Sequence, residues 1–89
     1  MPKLTLDDCV FICMRKGQWW TFWKLQETIK NKTGVFYGEP TISAAIRNLR
    51  KEPARVKYNL ISTGEVVEKR KQFNGNGFEY KLTGVKNDG

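Results

Sequence analysis

The sequence has no histidine and no long run of apolar residues. Without histidine, no side chain has an ordinary pKa near neutrality, so the formal net charge of +7 stays constant across the physiological pH range. The longest apolar stretches are a few residues long, which argues against a transmembrane helix, and the start Met1-Pro2-Lys3 lacks the apolar core of a signal peptide. We therefore expect a cytoplasmic protein without membrane association.

Residues for metal binding and catalysis are also scarce. Cys9 and Cys13 lie four residues apart in a helical pattern, and the chain has no histidine to help complete a zinc site. Reduced thiols packed in the core are the better interpretation. The sequence lacks a nucleophile motif and a glycine-rich phosphate loop, and the pair Gly75 and Gly77 fits turn chemistry. We therefore expect no enzymatic activity, no cofactor and no bound metal.

Positive charge, by contrast, is abundant. The 89 residues, a length that suits one domain, include 16 Lys and Arg against 9 Asp and Glu. Residues 41–82 hold nine basic and four acidic side chains, whereas residues 1–40 hold six and four. Such an excess favours polyanionic partners, and its concentration in the second half of the chain indicates where a nucleic acid would bind.

The first half of the chain predicts two helices. Thr5 is a candidate N-cap for a helix over about residues 6–16, and Thr21 for a helix over about residues 22–32. Apolar residues recur at intervals of three and four in both segments, and a glycine follows each. Residues 18–20 between them are too few for a helix and rich in aromatics, which predicts a short strand.

A third helix is predicted over about residues 40–51. Pro40 suits a first helical position, and Pro53 is expected to end the run. The apolar residues predict a buried stripe, made of Ile42, Ala45, Ile46 and Leu49. The residues away from this stripe are polar, basic or small: Thr41, Ser43, Ala44, Arg47, Asn48, Arg50 and Lys51.

The last part of the chain predicts a β-hairpin. A loop over residues 54–64 precedes a hairpin over about residues 65–82, whose turn is Asn74-Gly75-Asn76-Gly77. Residues 78–82 alternate between apolar and charged side chains, so one face of this strand can cover a core. We expect a single domain over residues 1–83 and a disordered tail over residues 84–89.

Two helices joined by a turn, the second apolar on one side and polar on the other, are typical of proteins that read the DNA major groove. Arg47 is the first candidate for a base contact, because arginine can donate two parallel hydrogen bonds to guanine. Arg50 and Lys51 are expected at the phosphate backbone. Taken alone, the same residues are equally typical of a solvated helix face.

The predicted hairpin adds a second group of candidates. Lys69, Arg70 and Lys71 approach a turn that contains Asn74 and Asn76, so its tip is cationic and could follow a phosphate backbone or enter a minor groove. The alternative is an edge hairpin that lysine and arginine keep soluble, and both interpretations can hold together.

The tryptophans Trp19, Trp20 and Trp23 also allow two interpretations. Exposed aromatics beside basic residues can stack on single-stranded bases. Large aromatic side chains in so short a chain are, however, needed to build the core. We favour the interpretation that these tryptophans build the core, which leaves room for one of them to be exposed.

Three segments together resemble small winged helix-turn-helix proteins encoded by phages and prophages. These segments are Trp19–Gln26, Thr41–Lys51 and Phe78–Leu82. The resemblance implies an α+β fold of the winged helix-turn-helix type, with three helices, a C-terminal β-hairpin wing and a short strand between helices 1 and 2. It implies that Ser43, Ala44, Arg47 and Arg50 face the major groove and that the loop near Asn74 is the wing. The longer stretch over residues 54–64 departs from the pattern.

By this likeness the protein binds double-stranded DNA in a sequence-specific manner. It would act as a transcriptional regulator or another DNA-transaction factor in the cytoplasm of a bacterium or a phage-infected bacterial host. A second hypothesis keeps the same fold but makes it a protein-interaction module, whose signature would be an exposed apolar patch. The sequence leaves open whether the chain forms a homodimer on DNA or binds a protein partner.

Overall fold

The computed structural model describes residues 4–72, 75 and 77–85. These residues form an α+β fold with four helices and a three-stranded antiparallel sheet. The elements follow in the order α1 (Leu6–Met14), β1 (Trp20–Thr21), α2 (Phe22–Thr33), α3 (Glu39–Asn48), α4 (Glu52–Lys57), β2 (Val67–Lys71) and β3 (Phe78–Leu82). The predicted class and the short strand between α1 and α2 are confirmed.

The first two helices begin where their capping residues stand. The hydroxyl of Thr5 accepts a hydrogen bond from the Asp8 amide at 3.1 Å, and the Asp8 carboxylate accepts one from the Thr5 amide. The Thr21 hydroxyl accepts the Lys24 amide at 3.0 Å. At the end of α2, Gly34 adopts a φ of 79°, which favours glycine. Both predicted helix starts are confirmed, although α1 ends at Met14 rather than residue 16.

The core lies where α1, α2 and α3 meet the sheet. The stripe predicted for the third helix is confirmed, since Ile42, Ala45, Ile46 and Leu49 are all buried. Cys9 and Cys13 are buried and form no disulfide, as expected. Burial raises the pKa of both thiols, which keeps them protonated and unreactive at neutral pH.

The sheet has the strand order β1, β3, β2, so the last strand in the chain is central. Trp20 pairs with Tyr80 on one side of β3, and Lys69 pairs with Tyr80 on the other. Val67 and Leu82 are paired and buried at the end of the hairpin nearest the core. The hairpin strands are shorter than the predicted 65–82 span, and Phe73, Asn74 and Asn76 lie outside the described residues.

A fourth helix occupies part of the segment that was predicted to be a loop. The expectation of three helices is therefore wrong, because α4 covers Glu52–Lys57. Pro53, predicted only to end the third helix, lies in the first turn of α4, where its missing amide hydrogen costs nothing. No residue of α4 is buried, so the apolar periodicity that marks the other helices is missing here.

Hydrogen bonds from Arg55 hold the segment around α4 in place. Its guanidinium donates to the carbonyl oxygens of Arg50 at 2.8 Å, Ile61 at 3.1 Å and Gly64 at 2.9 Å. One half-buried side chain thus joins the end of α3, α4 and the connection to β2. Arginine suits this role because its planar fork presents several donors in fixed directions.

A second group of polar contacts, centred on Asp8, joins α4 to α1. Its carboxylate accepts hydrogen bonds from the Tyr58 hydroxyl and the Thr5 amide, and the Lys57 ammonium lies 2.8 Å away. The Tyr58 ring stacks on Phe11 with a centroid separation of 4.4 Å. Lys57, then Tyr58, then Thr5 hold the pKa of the Asp8 carboxyl far below its ordinary value.

Replacing Asp8 with asparagine is therefore expected to lower the free energy of unfolding at pH 7 by about 2 kcal/mol, because charge-assisted hydrogen bonds to Tyr58 and Lys57 are weakened. A carboxyl whose folded pKa is depressed stabilises the fold above its unfolded pKa, near 4, and loses this contribution as the pH falls toward the folded value. Urea unfolding between about pH 7 and pH 2 measures both effects.

The matched control is Glu52→Gln, which removes an exposed carboxylate that has no ion pair among the described residues. We expect it to leave the unfolding midpoint at pH 7 nearly unchanged. Equal pH dependence in the wild type and Asp8→Asn would show that Asp8 does not carry the acid sensitivity.

The segment after β3 is more ordered than predicted. Gly84 is buried, and the Thr83 and Gly84 amides both donate to the Val66 carbonyl, at 2.8 and 3.2 Å. Val85 forms a bridge with the buried Leu60. The expectation of a disordered tail from residue 84 is therefore wrong for Gly84 and Val85, and residues 86–89 lie outside the described part of the chain.

Candidate nucleic-acid interface

The surface of α3 that faces away from the core carries one long basic side chain among small ones. Because Ile42, Ile46 and Leu49 point inward, a period of 3.6 residues directs Pro40, Ala44 and Arg47 to the opposite side. We call these three residues the outer ridge of α3. Arg47 is exposed and Ala44 is half-buried, so a guanidinium stands beside side chains that leave room for a close approach.

The remaining candidates at the start of α3 lie on its flanks. Thr41 is exposed, and Ser43 is half-buried. The helix begins with Gly38 as N-cap, which offers no side-chain hydrogen bond, and Glu39 stands in the first turn. Within its ten residues, Glu39–Asn48, α3 carries one basic and one acidic side chain, so its charge is lower than the predicted span suggested.

Arg50 and Lys51 lie beyond the helix, because α3 ends at Asn48 rather than at residue 51. The Arg50 guanidinium donates to the Val67 carbonyl at 3.4 Å and lies 4.0 Å from the Glu65 carboxylate. It thus joins the start of β2 to the chain just after α3. The expectation that Arg50 lies within the helix is wrong, and its contact with DNA stays a prediction. Lys51 is exposed at the N-cap of α4.

Asn48 also has a structural contact. Its side-chain amide donates to the Asp7 carboxylate at 3.3 Å and joins α3 to α1. This contact directs the flank of α3 that carries Asn48 toward α1. Asn48, a candidate from the polar side of the predicted third helix, is therefore half-buried and engaged with another helix.

The basic run of the hairpin is divided between two faces of the sheet. Successive residues of a strand point to opposite sides, so Lys69 and Lys71 share one face and Arg70 lies on the other. The register pairs Lys69 with Tyr80 and Lys71 with Phe78, and both lysines are exposed. Strand alternation therefore separates three basic residues that were predicted to form one group.

Arg70 is held on the far face. Its guanidinium lies 2.9 Å from the Glu79 carboxylate and 4.0 Å from the centre of the Trp19 ring, which Lys81 also approaches at 5.7 Å. An ion pair combined with a cation–π contact limits the freedom of Arg70 to reach a ligand. The structure therefore separates Arg70 from Lys69 and Lys71, and its predicted DNA contact stays a prediction.

The face that carries the two lysines lies toward α3. Tyr80, at the centre of this face, is half-buried and stacks on Phe22 at 4.9 Å. Burial raises the pKa of Tyr80, and the charge of Arg50 opposes this while that of Glu39 adds to it. Glu39, at the start of α3, lines a cleft with Gln72 and Phe78. Arg50, just beyond the end of α3, donates to the Val67 carbonyl, so the hairpin lies alongside that helix. The Lys69 ammonium lies 4.2 Å from the centre of the Phe78 ring.

The structure thus brings together part of the predicted site. Among the predicted site residues, four exposed cations have no ion pair within residues 4–72, 75 and 77–85: Arg47, Lys51, Lys69 and Lys71. The predicted contacts at Asn74 and Asn76 lie outside the described residues. The tryptophans do not form one platform, because Trp20 is buried, Trp19 is covered by Arg70, and Trp23 is 69% exposed.

Within the described part of the chain, no three Cys, Asp or Glu side chains are grouped so that they could hold a metal ion. None of the described helices has the length and apolar character needed to cross a membrane. Comparison with known protein families, curated proteins and solved structures found no match.

Proposed function

We propose that the protein is a non-enzymatic, sequence-specific DNA-binding domain of the winged helix-turn-helix type. In this proposal α3 enters the major groove, the β2–β3 hairpin is the wing, and α4 is an addition between them. The observation that carries it is the exposed Arg47 on the outer ridge of α3, which has no ion pair among the described residues, beside a hairpin whose Lys69 and Lys71 lie on the face toward that helix.

The chemistry of this surface suits DNA. Arg47 can donate two hydrogen bonds to a guanine edge, while the small side chain of Ala44 allows the helix to approach the bases closely. Lys69 and Lys71 are point charges that suit phosphates, and Lys51 extends the positive surface beyond α3. The resemblance of the three sequence segments favours a phage or prophage regulator or DNA-transaction factor, acting in the bacterial cytoplasm.

The proposal is tested by selecting duplexes from a random pool and measuring their binding by fluorescence anisotropy over a salt series. Three lysine–phosphate contacts would give a slope of about −2.7 in a plot of log affinity against log salt. A shared base pattern in the selected duplexes supports the proposal. Failure to enrich any pattern, together with weak binding to every duplex, would favour the protein-interaction alternative.

The hairpin offers an internal comparison between adjacent basic residues. Replacing Lys69 or Lys71 with alanine is expected to reduce the magnitude of the salt slope by about 1 for each residue, without changing the base preference. Arg70→Ala is the matched control, because Arg70 carries the same charge on the opposite face and pairs with Glu79. Its slope should equal that of the wild type, provided that urea unfolding shows the variant is folded. An equal reduction by Arg70→Ala would place DNA on the other face.

A further inference from the structure

An exposed aromatic surface lies beside the start of α3. Its members are Trp23, Phe36 and Phe78, which are 69%, 62% and 44% exposed. Trp23 and Phe36 line one cleft of about 170 Å³, and Trp23 and Phe78 line a second of about 340 Å³. Because Trp23 borders both clefts, the three rings form one continuous surface, which we call the aromatic surface.

The position of Trp23 follows from the periodicity of α2. Leu25 and Ile29 are buried, so the helical period places Trp23, Glu27 and Lys30 together on the side away from the core. Trp23 therefore contributes little to the packing of its own chain. An exposed aromatic group of this size is typical of an interaction site.

The charges around the aromatic surface do not suit DNA. Glu27 and Lys30 line the first cleft, and Glu39 lines the second. Two carboxylates beside the rings would repel phosphates, in contrast to the lysines of the hairpin. The opposite charges of Glu27 and Lys30, one helical turn apart beside the first cleft, instead give a surface that is complementary to itself.

We propose that two copies of this chain dock through their aromatic surfaces in a two-fold symmetric contact when both are bound to DNA. This inference rests on the proposed function and adds a partner to it. A two-fold axis makes every contact reciprocal, so Glu27 of one copy meets Lys30 of the other, and Lys30 of the first meets Glu27 of the second. These two ion pairs flank the axis, and the rings of Trp23 and Phe36 pack on either side of them.

The size of the surface explains why pairing at low protein concentration needs DNA. An aromatic side chain presents roughly 150–250 Å² when fully exposed, so the three rings offer roughly 350 Å² per copy. A stable dimer buries roughly 800 Å² per partner. The net charge of +7 also opposes association of free copies. DNA neutralises this charge and holds neighbouring copies at a high effective concentration.

Cooperative binding tests the proposal. The probes are duplexes that carry one selected site, or two inverted sites whose spacing is varied in single base pairs. The wild type is expected to bind the second site roughly 5- to 150-fold more tightly than the first at one preferred spacing. Trp23→Ala should remove this cooperativity and leave binding to the single site unchanged. Val56→Ala, at a residue 76% exposed on α4, is the control and should keep it. Independent binding at every spacing would overturn the proposal.

A charge exchange distinguishes a second copy from any other partner. Glu27→Lys alone and Lys30→Glu alone place like charges opposite each other and should each reduce cooperativity. The double variant restores opposite charges in both contacts between positions 27 and 30 and should recover the cooperativity. Failure of this recovery contradicts the two-fold arrangement.

If no duplex is selected, the proposed function fails. The contact between two copies is then tested on the protein without DNA. Sedimentation at about 1 mM protein in high salt, which screens the net charge, should show association that Trp23→Ala abolishes. A monomer under these conditions would overturn the pairing itself.

Discussion

Replacing Arg47 with alanine is expected to weaken binding to the selected duplex by roughly 5- to 150-fold, which corresponds to about 1–3 kcal/mol. Arg47 is exposed on the outer ridge of α3 and has no ion pair among the described residues, so its guanidinium is free to donate two hydrogen bonds to a guanine edge. Loss of a base contact also relaxes specificity. We expect the variant to accept all four bases at the position that the wild type restricts.

Anisotropy on the selected duplex and on its single-base variants measures both effects. Arg15→Ala is the matched control, because Arg15 is an exposed arginine at the C-cap of α1, outside the proposed interface. It should lower affinity slightly and equally for every sequence. An equally uniform loss for Arg47→Ala would mean that Arg47 contacts phosphate, and an unchanged affinity would remove it from the interface.

Replacing Gly84 with alanine is expected to lower the free energy of unfolding by about 3 kcal/mol. A Cβ atom at this position would lie 2.5 Å from Cγ1 and 2.7 Å from Cα of Val66, which is fully buried. The backbone of Val66 accepts hydrogen bonds from Thr83 and Gly84, so it cannot move aside without loss of these bonds. The close approach of two backbones, rather than a special φ, therefore requires glycine here.

Urea unfolding of Gly84→Ala measures this loss, and Gly38→Ala is the control. The nearest atom to a Cβ at Gly38 is Cδ of Pro40 at 3.7 Å, an ordinary contact. Gly38→Ala should lower the free energy of unfolding by less than about 1 kcal/mol, because its one expected effect is that alanine is a less favourable N-cap residue than glycine. An unchanged midpoint for Gly84→Ala would show that the chain after β3 is not seated against Val66.

Local signals in the sequence predicted most of the secondary structure. Thr5 and Thr21 begin helices because their hydroxyls satisfy free amides within three residues, so both cap and helix can be recognised in a short window. The buried stripe of α3 follows from its period for the same reason. These features depend on neighbours in the chain and require no knowledge of the tertiary structure.

The fourth helix could not be predicted in this way. It has no buried residue, and its surroundings depend on Arg55, which donates to carbonyl groups that lie as far along the chain as Gly64. Periodicity carries no information about such contacts. The order of Gly84 and Val85 escaped prediction similarly, because it depends on Val66 and Leu60, which are distant in sequence.

The candidate site was predicted in part. Strand alternation could have separated Arg70 from Lys69 and Lys71, but its pairing with Glu79 required the register of the hairpin. The Asn48 contact depends on how α1 packs on α3, and no local pattern reports the position of Asp7. Exposed polar residues on a helix are therefore only candidates until their neighbours from other elements are known.

The central place of β3 has a consequence for the order in which the protein folds. Among the described strands, both β1 and β2 pair with β3 alone, so the sheet cannot close until the ribosome has released the chain beyond residue 82. Until then, the core lacks the side chains that the hairpin contributes, Val67 and Leu82, and nascent chains expose apolar surface to aggregation. Contacts this distant in sequence also slow the search for the native topology, in comparison with a bundle of helices alone.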